Sequence, residues 1–256
     1  MRKYRISASL LNAFTQWLNS DEIFDTYWGE SEQPAMTRDE FHAKQLAELL
    51  AYINHEPQPP NEAAERGTAL NDIIDIMNFG RKVDTELFVA NTFYVARRCG
   101  FTFAFDRDFV DSLCLVFRTA VAQHHLSCQI PFGGGVVELH GYPDYIFPTM
   151  IWDLKTTSRY SQGKYADNWQ RLVYPYAAIP TGVLTGCENF TCYALECRAD
   201  MDGIITGKPF TETYDFNYYE ASVRIREFID THVIPSLDEW QRCDIIRNQN
   251  IISHED

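Results

Sequence analysis

Residues 141–174 read GYPDYIFPTMIWDLKTTSRYSQGKYADNWQRLVY, and the fold turns on this stretch. Pro148-Thr149 separates two short apolar runs, 145–147 and 150–152, and so marks the tip of an antiparallel hairpin. With Phe147 opposite Met150 and Ile146 opposite Ile151, Asp144 falls opposite Asp153. Directly opposed residues share a face, with Cβ atoms about 5 Å apart. Alternation along the second strand adds Lys155 to that face and turns Leu154 the other way, into a core. Two carboxylates that close repel each other unless a cation neutralises them, and carboxylate oxygens with a few waters are what Mg²⁺ prefers. Lys155 is then placed to hold an attacking water or charge developing on a phosphate. The competing reading is a surface hairpin with scattered charges. The Ile151-Trp152 start of the second strand argues against it, because it marks a half-buried strand.

The order of these residues resembles a known family. Pro143-Asp144, the eight residues 145–152, then Asp153-Leu154-Lys155 reproduce the pattern that names the PD-(D/E)XK nucleases. Asp153-Leu-Lys-Thr-Thr157 followed by Gln170-Arg-Leu-Val-Tyr174 resembles the RecB-like branch, which includes phage-type recombination exonucleases. The resemblance implies an α/β fold: a restriction-endonuclease-like core with a mixed sheet flanked by helices, plus additional N- and C-terminal helices. It implies one domain over 1–256, with a core at about 62–197 and helical elaborations at 1–61 and 198–256. Asp144 and Asp153 would be metal ligands, joined by the Leu154 carbonyl; Lys155 would be the catalytic lysine, with Gln170 and Tyr174 beside the site. Arg66-Gly-Thr-Ala-Leu-Asn71 matches the branch's R-G-x-x-x-H helix at Arg66 and Gly67, but Asn71 stands where the family histidine often ligates the metal. An amide oxygen there coordinates weakly or holds a metal-bound water; Glu65, Asp72 and Asp75 approach only from neighbouring faces. The implied cofactor is Mg²⁺, with Mn²⁺ able to substitute. The implied partners are DNA and a recombination or DNA-processing protein.

Composition bounds this reading. The chain has 256 residues, 45% hydrophobic, with 22 Lys and Arg against 36 Asp and Glu, a formal charge of −14. A phosphate backbone rewards positive charge, so this balance argues against tight non-specific duplex binding by the chain alone. It leaves room for a local basic groove on an acidic exterior. Seven cysteines, an odd number, read as reduced thiols in a cytoplasmic protein. MRKYRISASL lacks the apolar run of a signal peptide, and no run reaches a membrane span. Cys187, Cys192 and Cys197 are spaced so that the last two face opposite sides of one strand, against an iron–sulfur cluster. No H-E-x-x-H or similar ligand set supports zinc hydrolase chemistry.

Along the chain, Ser7 or Ser9 caps an N-terminal helix, residues 18–36 read as loop, and Thr37 with Glu40 forms a capping box ahead of a helix at 38–53. A helix at 62–79 ends at Gly80. Residues 92–105 read as extended, 109–122 as helix, and His124-His125 as surface histidines. The hairpin across Gly133-Gly134-Gly135 is expected to continue into the 144–156 hairpin in a single sheet, with Glu138 as an outer-shell candidate. A helix at 165–178 puts Gln170 and Tyr174 on one face, and a strand follows at 189–196. Residues 198–209 read as turns and 214–240 as one long helix. Arg97, Arg98, Arg159 and Lys164 are candidate phosphate contacts. The functional expectation is a metal-dependent DNA nuclease, an exonuclease by preference. The alternative is a nucleic-acid-binding or assembly protein that kept the fold and lost catalysis.

Overall fold

Ser7 ends the first strand and starts the first helix. Its extended backbone closes β1 (Arg2–Ser7), and its hydroxyl accepts the Leu10 N–H at 3.1 Å to cap α1 (Ala8–Leu18). The computed structural model describes residues 2–31, 33–184, 186–248 and 251–254. A second helix, α2 (Ser20–Trp28), occupies the region expected to be loop. It lacks a side-chain cap and is held by tertiary contacts: Phe24 and Trp28 pack on Phe41, and Arg38 pairs with Asp25. α3 (Arg38–Ile53) carries the expected capping box, and α4 (Glu62–Phe79) ends at Gly80 in the left-handed region at φ 63°.

The chain then forms β2 (Glu86–Val89), β3 (Phe93–Arg98) and β4 (Phe101–Asp106), followed by α5 (Arg107–Phe117). α5 is shorter than the sequence suggests: Val121 and Ala122 leave it for a two-residue strand, β5 (Val121–Ala122). Next come β6 (Leu126–Phe132), β7 (Gly135–Gly141), β8 (Tyr145–Phe147), β9 (Met150–Thr157) and α6 (Gln170–Thr181). α6 starts five residues later than expected, after turns over 165–169. β10 (Asn189–Ala199) is the strand expected at 189–196, carried three residues further, and β11 (Ile204–Asp215) replaces much of the turn-rich connection expected at 198–209. Asp200 shapes the link between them, its carboxylate accepting the N–H groups of Asp202 and Ile204. The expected long C-terminal helix therefore begins only with α7 (Tyr218–Phe228). A π-helical turn over 229–233 joins it to α8 (Ile234–Arg242), and β12 (Ile252–His254) follows. Ala221, Ile225 and Ile229 form the buried stripe of this segment, and Val223 is exposed.

The architecture is mixed α/β with two sheets. One has the order β12-β1-β7-β6, the other β2-β3-β4-β11-β10-β9-β8-β5. The expectation that the 144–156 hairpin extends the β6–β7 hairpin is thus wrong. β7 pairs in parallel with β1, while β8 pairs with β9 and β5 in the larger sheet, so the chain changes sheets between Gly141 and Tyr145. β9 and β10 are parallel, and α6 makes the crossover between them.

β9 divides two apolar cores. Ile151 belongs to one, packed with α1, α6, α7 and α8; Leu154 belongs to the other, packed with α4 and α5. One face of β9 is therefore covered by α6 and the other by α4. Among the described residues no helix is long and apolar enough to cross a membrane.

Candidate functional site

The register of β8 on β9 is the expected one: Phe147 pairs with Met150, Ile146 with Ile151 and Tyr145 with Trp152. One step beyond the last rung, Asp144 stands across from Asp153. Asp153 is 2% exposed, and the Lys155 ammonium lies 2.6 Å from its Oδ2. Burial, then the Asp153 charge, push the Asp144 carboxyl well above the usual carboxylate range, against the pull of Lys155. Burial works to lower the Lys155 pKa, but Asp153 and Asp144 outweigh it and hold the ammonium above the ordinary lysine range. The three groups form one electrostatic unit.

Asp144 is fixed by three donations. Its Oδ2 accepts the Leu154 N–H at 2.8 Å and its Oδ1 accepts the Gln123 amide at 2.9 Å. Its backbone carbonyl accepts the Gln123 N–H at 3.1 Å. In an extended strand the N–H and C=O of one residue point to the same edge, so the Leu154 carbonyl also faces the Asp144 side. The residue in register with Leu154 is Pro143, which has no N–H to offer that carbonyl.

α4 closes the cavity from the other face. The cavity has a volume of about 710 Å³ and is lined by Asp144, Asp153, Lys155, Asn71, Asp75 and Arg81 among others. Gly67 allows the helix its close approach, since a Cβ there would lie 2.6 Å from the Thr156 hydroxyl. Asn71 faces the cavity, and its Oδ1 accepts the Tyr145 hydroxyl at 3.1 Å. Glu65 and Asp72 are not free to replace it as ligands, because Arg98 binds both, at 2.7 and 3.2 Å. Arg98 is accordingly an internal tie and not a phosphate contact. Asp75 is 3% exposed, with Oδ2 3.4 Å from Arg81 and Oδ1 buried without a partner.

α6 supplies the remaining residues. Gln170 lines the cavity and donates to the Tyr174 hydroxyl at 3.1 Å. Burial raises the Tyr174 pKa, so the phenol stays protonated. Its ring packs on Gly141, where a Cβ would lie 2.5 Å from Cε1. The start of the helix is held by α1: the Asn12 amide donates to Asn168 Oδ1 at 2.8 Å and its Oδ1 accepts the Trp169 N–H at 2.9 Å. Glu138, the outer-shell candidate, lies in the other sheet and is paired with Lys3 and Arg5.

The arrangement brings together Asp144, Asp153, Leu154, Lys155, Asn71 and Gln170 around one cavity, with Tyr174 bonded behind Gln170. Asp144, Asp153 and the Leu154 carbonyl are the oxygens that could hold a hard cation. Among the described residues no three His, Cys, Asp or Glu side chains converge as a metal cluster. Sequence reasoning missed Gln123, which follows β5 with φ 49°, and Arg81, just after the α4 cap. Neither sits in a periodic element, so no spacing signal could find them.

No protein-family model and no curated protein matches the chain. Among solved structures, SSO0001 is similar over 95% of this chain and 83% of its own, at 10% identity and a TM-score of 0.35. LHK-Exo, solved in complex with dAMP, is similar over 93% of this chain and 93% of its own, at 11% identity and a TM-score of 0.32. At these scores the likeness is distant and assigns neither a family nor an activity.

Proposed function

We propose that the chain is a divalent-metal-dependent deoxyribonuclease with a restriction-endonuclease-like core. The preferred subtype is an exonuclease acting in DNA recombination, repair or phage DNA processing. The observation that carries this is the meeting of Asp144, Asp153 and Lys155 at the end of β8 and β9, inside a cavity lined also by Asn71 and Gln170. The donor set suits Mg²⁺ or Mn²⁺: two carboxylates and a carbonyl aimed at one edge, with no thiol or imidazole among them. When bound, such a cation supplies an activated water and positive charge at the leaving oxygen.

The chain's own residues do the rest. Asp144 and Asp153 would hold the cation with the Leu154 carbonyl, and Gln123 keeps Asp144 in place. Lys155, protonated and tied to Asp153, offers N–H donors to a phosphate oxygen as charge builds there. Gln170, oriented by Tyr174, offers an amide to the nucleophile or the adjacent phosphate. Asn71 would offer its amide to a water in the cavity. One observation favours a second reading, a nuclease-fold protein that binds nucleic acid without cutting it. Asn71 Oδ1 is already engaged by Tyr145, and among the described residues no third acidic or imidazole ligand completes the pair.

A linear duplex and the same sequence as a covalently closed circle separate these readings. With Mg²⁺ the linear form should be degraded from an end while the circle persists, and EDTA should stop the reaction. Equal initial rates on both would make it an endonuclease. A folded protein that cuts neither duplex, single-stranded DNA nor RNA with any divalent metal would favour the second reading.

A further inference from the structure

Arg171 and Arg224 stand out in a chain with 36 acidic residues against 22 basic ones. Arg171 follows Gln170 in the first turn of α6; Arg224 lies on α7, which packs against it. Burial and the nearby Arg224 charge both lower the Arg171 pKa, so the two guanidinium groups repel each other. No carboxylate lies within ion-pair distance of either group among the described residues, although most buried or half-buried charges here have such a partner. Each guanidinium instead sits over an aromatic ring, Arg171 at 5.4 Å from the Tyr214 centroid and Arg224 at 5.4 Å from the Trp169 centroid.

The two platforms are themselves fixed. The Tyr214 hydroxyl bonds Glu212, and the Trp169 indole donates to the Thr15 hydroxyl at 2.7 Å. A guanidinium stacked on a ring keeps its edge N–H groups free, and that edge matches two oxygens of a phosphate. The Asp167 carboxylate offsets only part of the Arg224 repulsion at Arg171, and a bound polyanion relieves what remains. Their position adds direction. Trp169, Gln170 and Arg171 are consecutive: Gln170 faces the cavity, Trp169 carries Arg224 on its ring, and Arg171 follows Gln170 on α6.

We infer that Arg171 and Arg224 form a phosphate-binding step for the backbone of a nucleic acid leaving the cavity past Gln170. The inference rests on the reading of the cavity as a nucleic-acid site and adds where the strand runs. Two arginines on neighbouring helices fit successive phosphodiesters, and their aromatic supports fit a backbone contact without base readout.

The test is equilibrium binding of fluorescein-labelled 20-nucleotide DNA, single-stranded and duplex, in Ca²⁺ across a series of salt concentrations. Each phosphate contact contributes about 0.7–0.9 to the slope of log K against log salt. Arg171→Gln with Arg224→Gln should flatten that slope by about 1.4–1.8 and weaken binding roughly tenfold. The double lysine variant keeps the charges and should retain most of the slope. Thermal melts establish that each variant is folded. Unchanged affinity and slope in a folded double glutamine variant would overturn the inference, as would no DNA binding by the unaltered chain. So would a variant that loses binding to polyglutamate and keeps its grip on DNA, which would make the pair a site for an acidic protein. Because binding is read without cleavage, an uncut but Arg-dependent DNA complex would support this step while removing the nuclease. Cleavage with Arg-independent binding would do the reverse.

Discussion

The Leu154 N–H donates to Asp144 Oδ2 at 2.8 Å, so the residue between Asp153 and Lys155 fixes the carboxylate on the adjacent strand. The bond links the two halves of the site through backbone, and its position depends on the β8–β9 register. Gln123 completes the hold from outside the hairpin.

Gln123→Ala should therefore leave Asp144 Oδ1 without its donor and cost about 1–3 kcal/mol of stability. Urea unfolding measures it. A midpoint equal to the unaltered protein's would mean that water replaces the amide and that Gln123 does not hold the carboxylate.

Gly67→Ala should be destabilising although alanine is the better helix former. The new Cβ lies 2.6 Å from the Thr156 hydroxyl, and forcing two packed elements apart costs about 1–3 kcal/mol against a helix gain of about 1. In the Thr156→Ala background the clash is gone, so the same substitution should become neutral or stabilising. A double-mutant cycle with no coupling would show that α4 does not rest on β9 at this point.

Asp75 gives a pH signature. Burial raises its carboxyl from 3.8 to about 6, with Arg81 opposing. The folded state holds this proton more tightly than the unfolded chain, so its share of the stability is full below the unfolded pKa and is lost as pH rises from about 4 to about 6. Asp75→Asn removes the titration. The stability of the asparagine variant relative to the unaltered protein should rise by roughly 1–3 kcal/mol across that window and stay level above it. Unfolding curves from pH 4 to 8 check this, and a constant difference would contradict the buried state of the carboxyl.

How much of this was legible in the sequence depends on the range of the forces involved. The 144–155 hairpin and its register could be read because the Pro148-Thr149 break and the alternation of Ile151, Asp153 and Lys155 are local. α4 could be read from Glu62 to Gly80 at its end, though its Asn61 cap came only with the structure. The change of sheet after Gly141 could not, because β7 finds its partner in β1, more than a hundred residues earlier. α2 escaped notice because it spans only nine residues without a side-chain cap, and packing on α3 is what makes it helical. β11 escaped because its Gly, Lys, Pro and Thr residues look like a turn until β10 lies beside them. At the site, the motif residues were found and their supports were not. Gln123 and Arg81 act from connections whose geometry is set by the elements they join.

Lys155→Ala separates the lysine's structural and chemical roles. It leaves Asp153 buried without its cation, a loss of roughly 1–3 kcal/mol, moderated because 27% of the lysine side chain reaches solvent. Added Mg²⁺ should recover part of that stability. Single-turnover cleavage should fall by about 10²-fold even where the variant is fully folded. Normal turnover would remove Lys155 from the reaction.

The central claim is that Asp144 and Asp153 together hold a divalent cation that the reaction needs. The most direct measurement is single-turnover cleavage of a linear duplex against Mg²⁺ concentration, with calorimetric Mn²⁺ binding alongside, for the unaltered chain, Asp144→Asn and Asp153→Asn. The asparagine variants keep shape and remove charge. The account predicts metal-dependent cleavage by the unaltered chain, and loss of both cleavage and Mn²⁺ binding in each variant. Undiminished cleavage by both variants, or cleavage in EDTA, would contradict it.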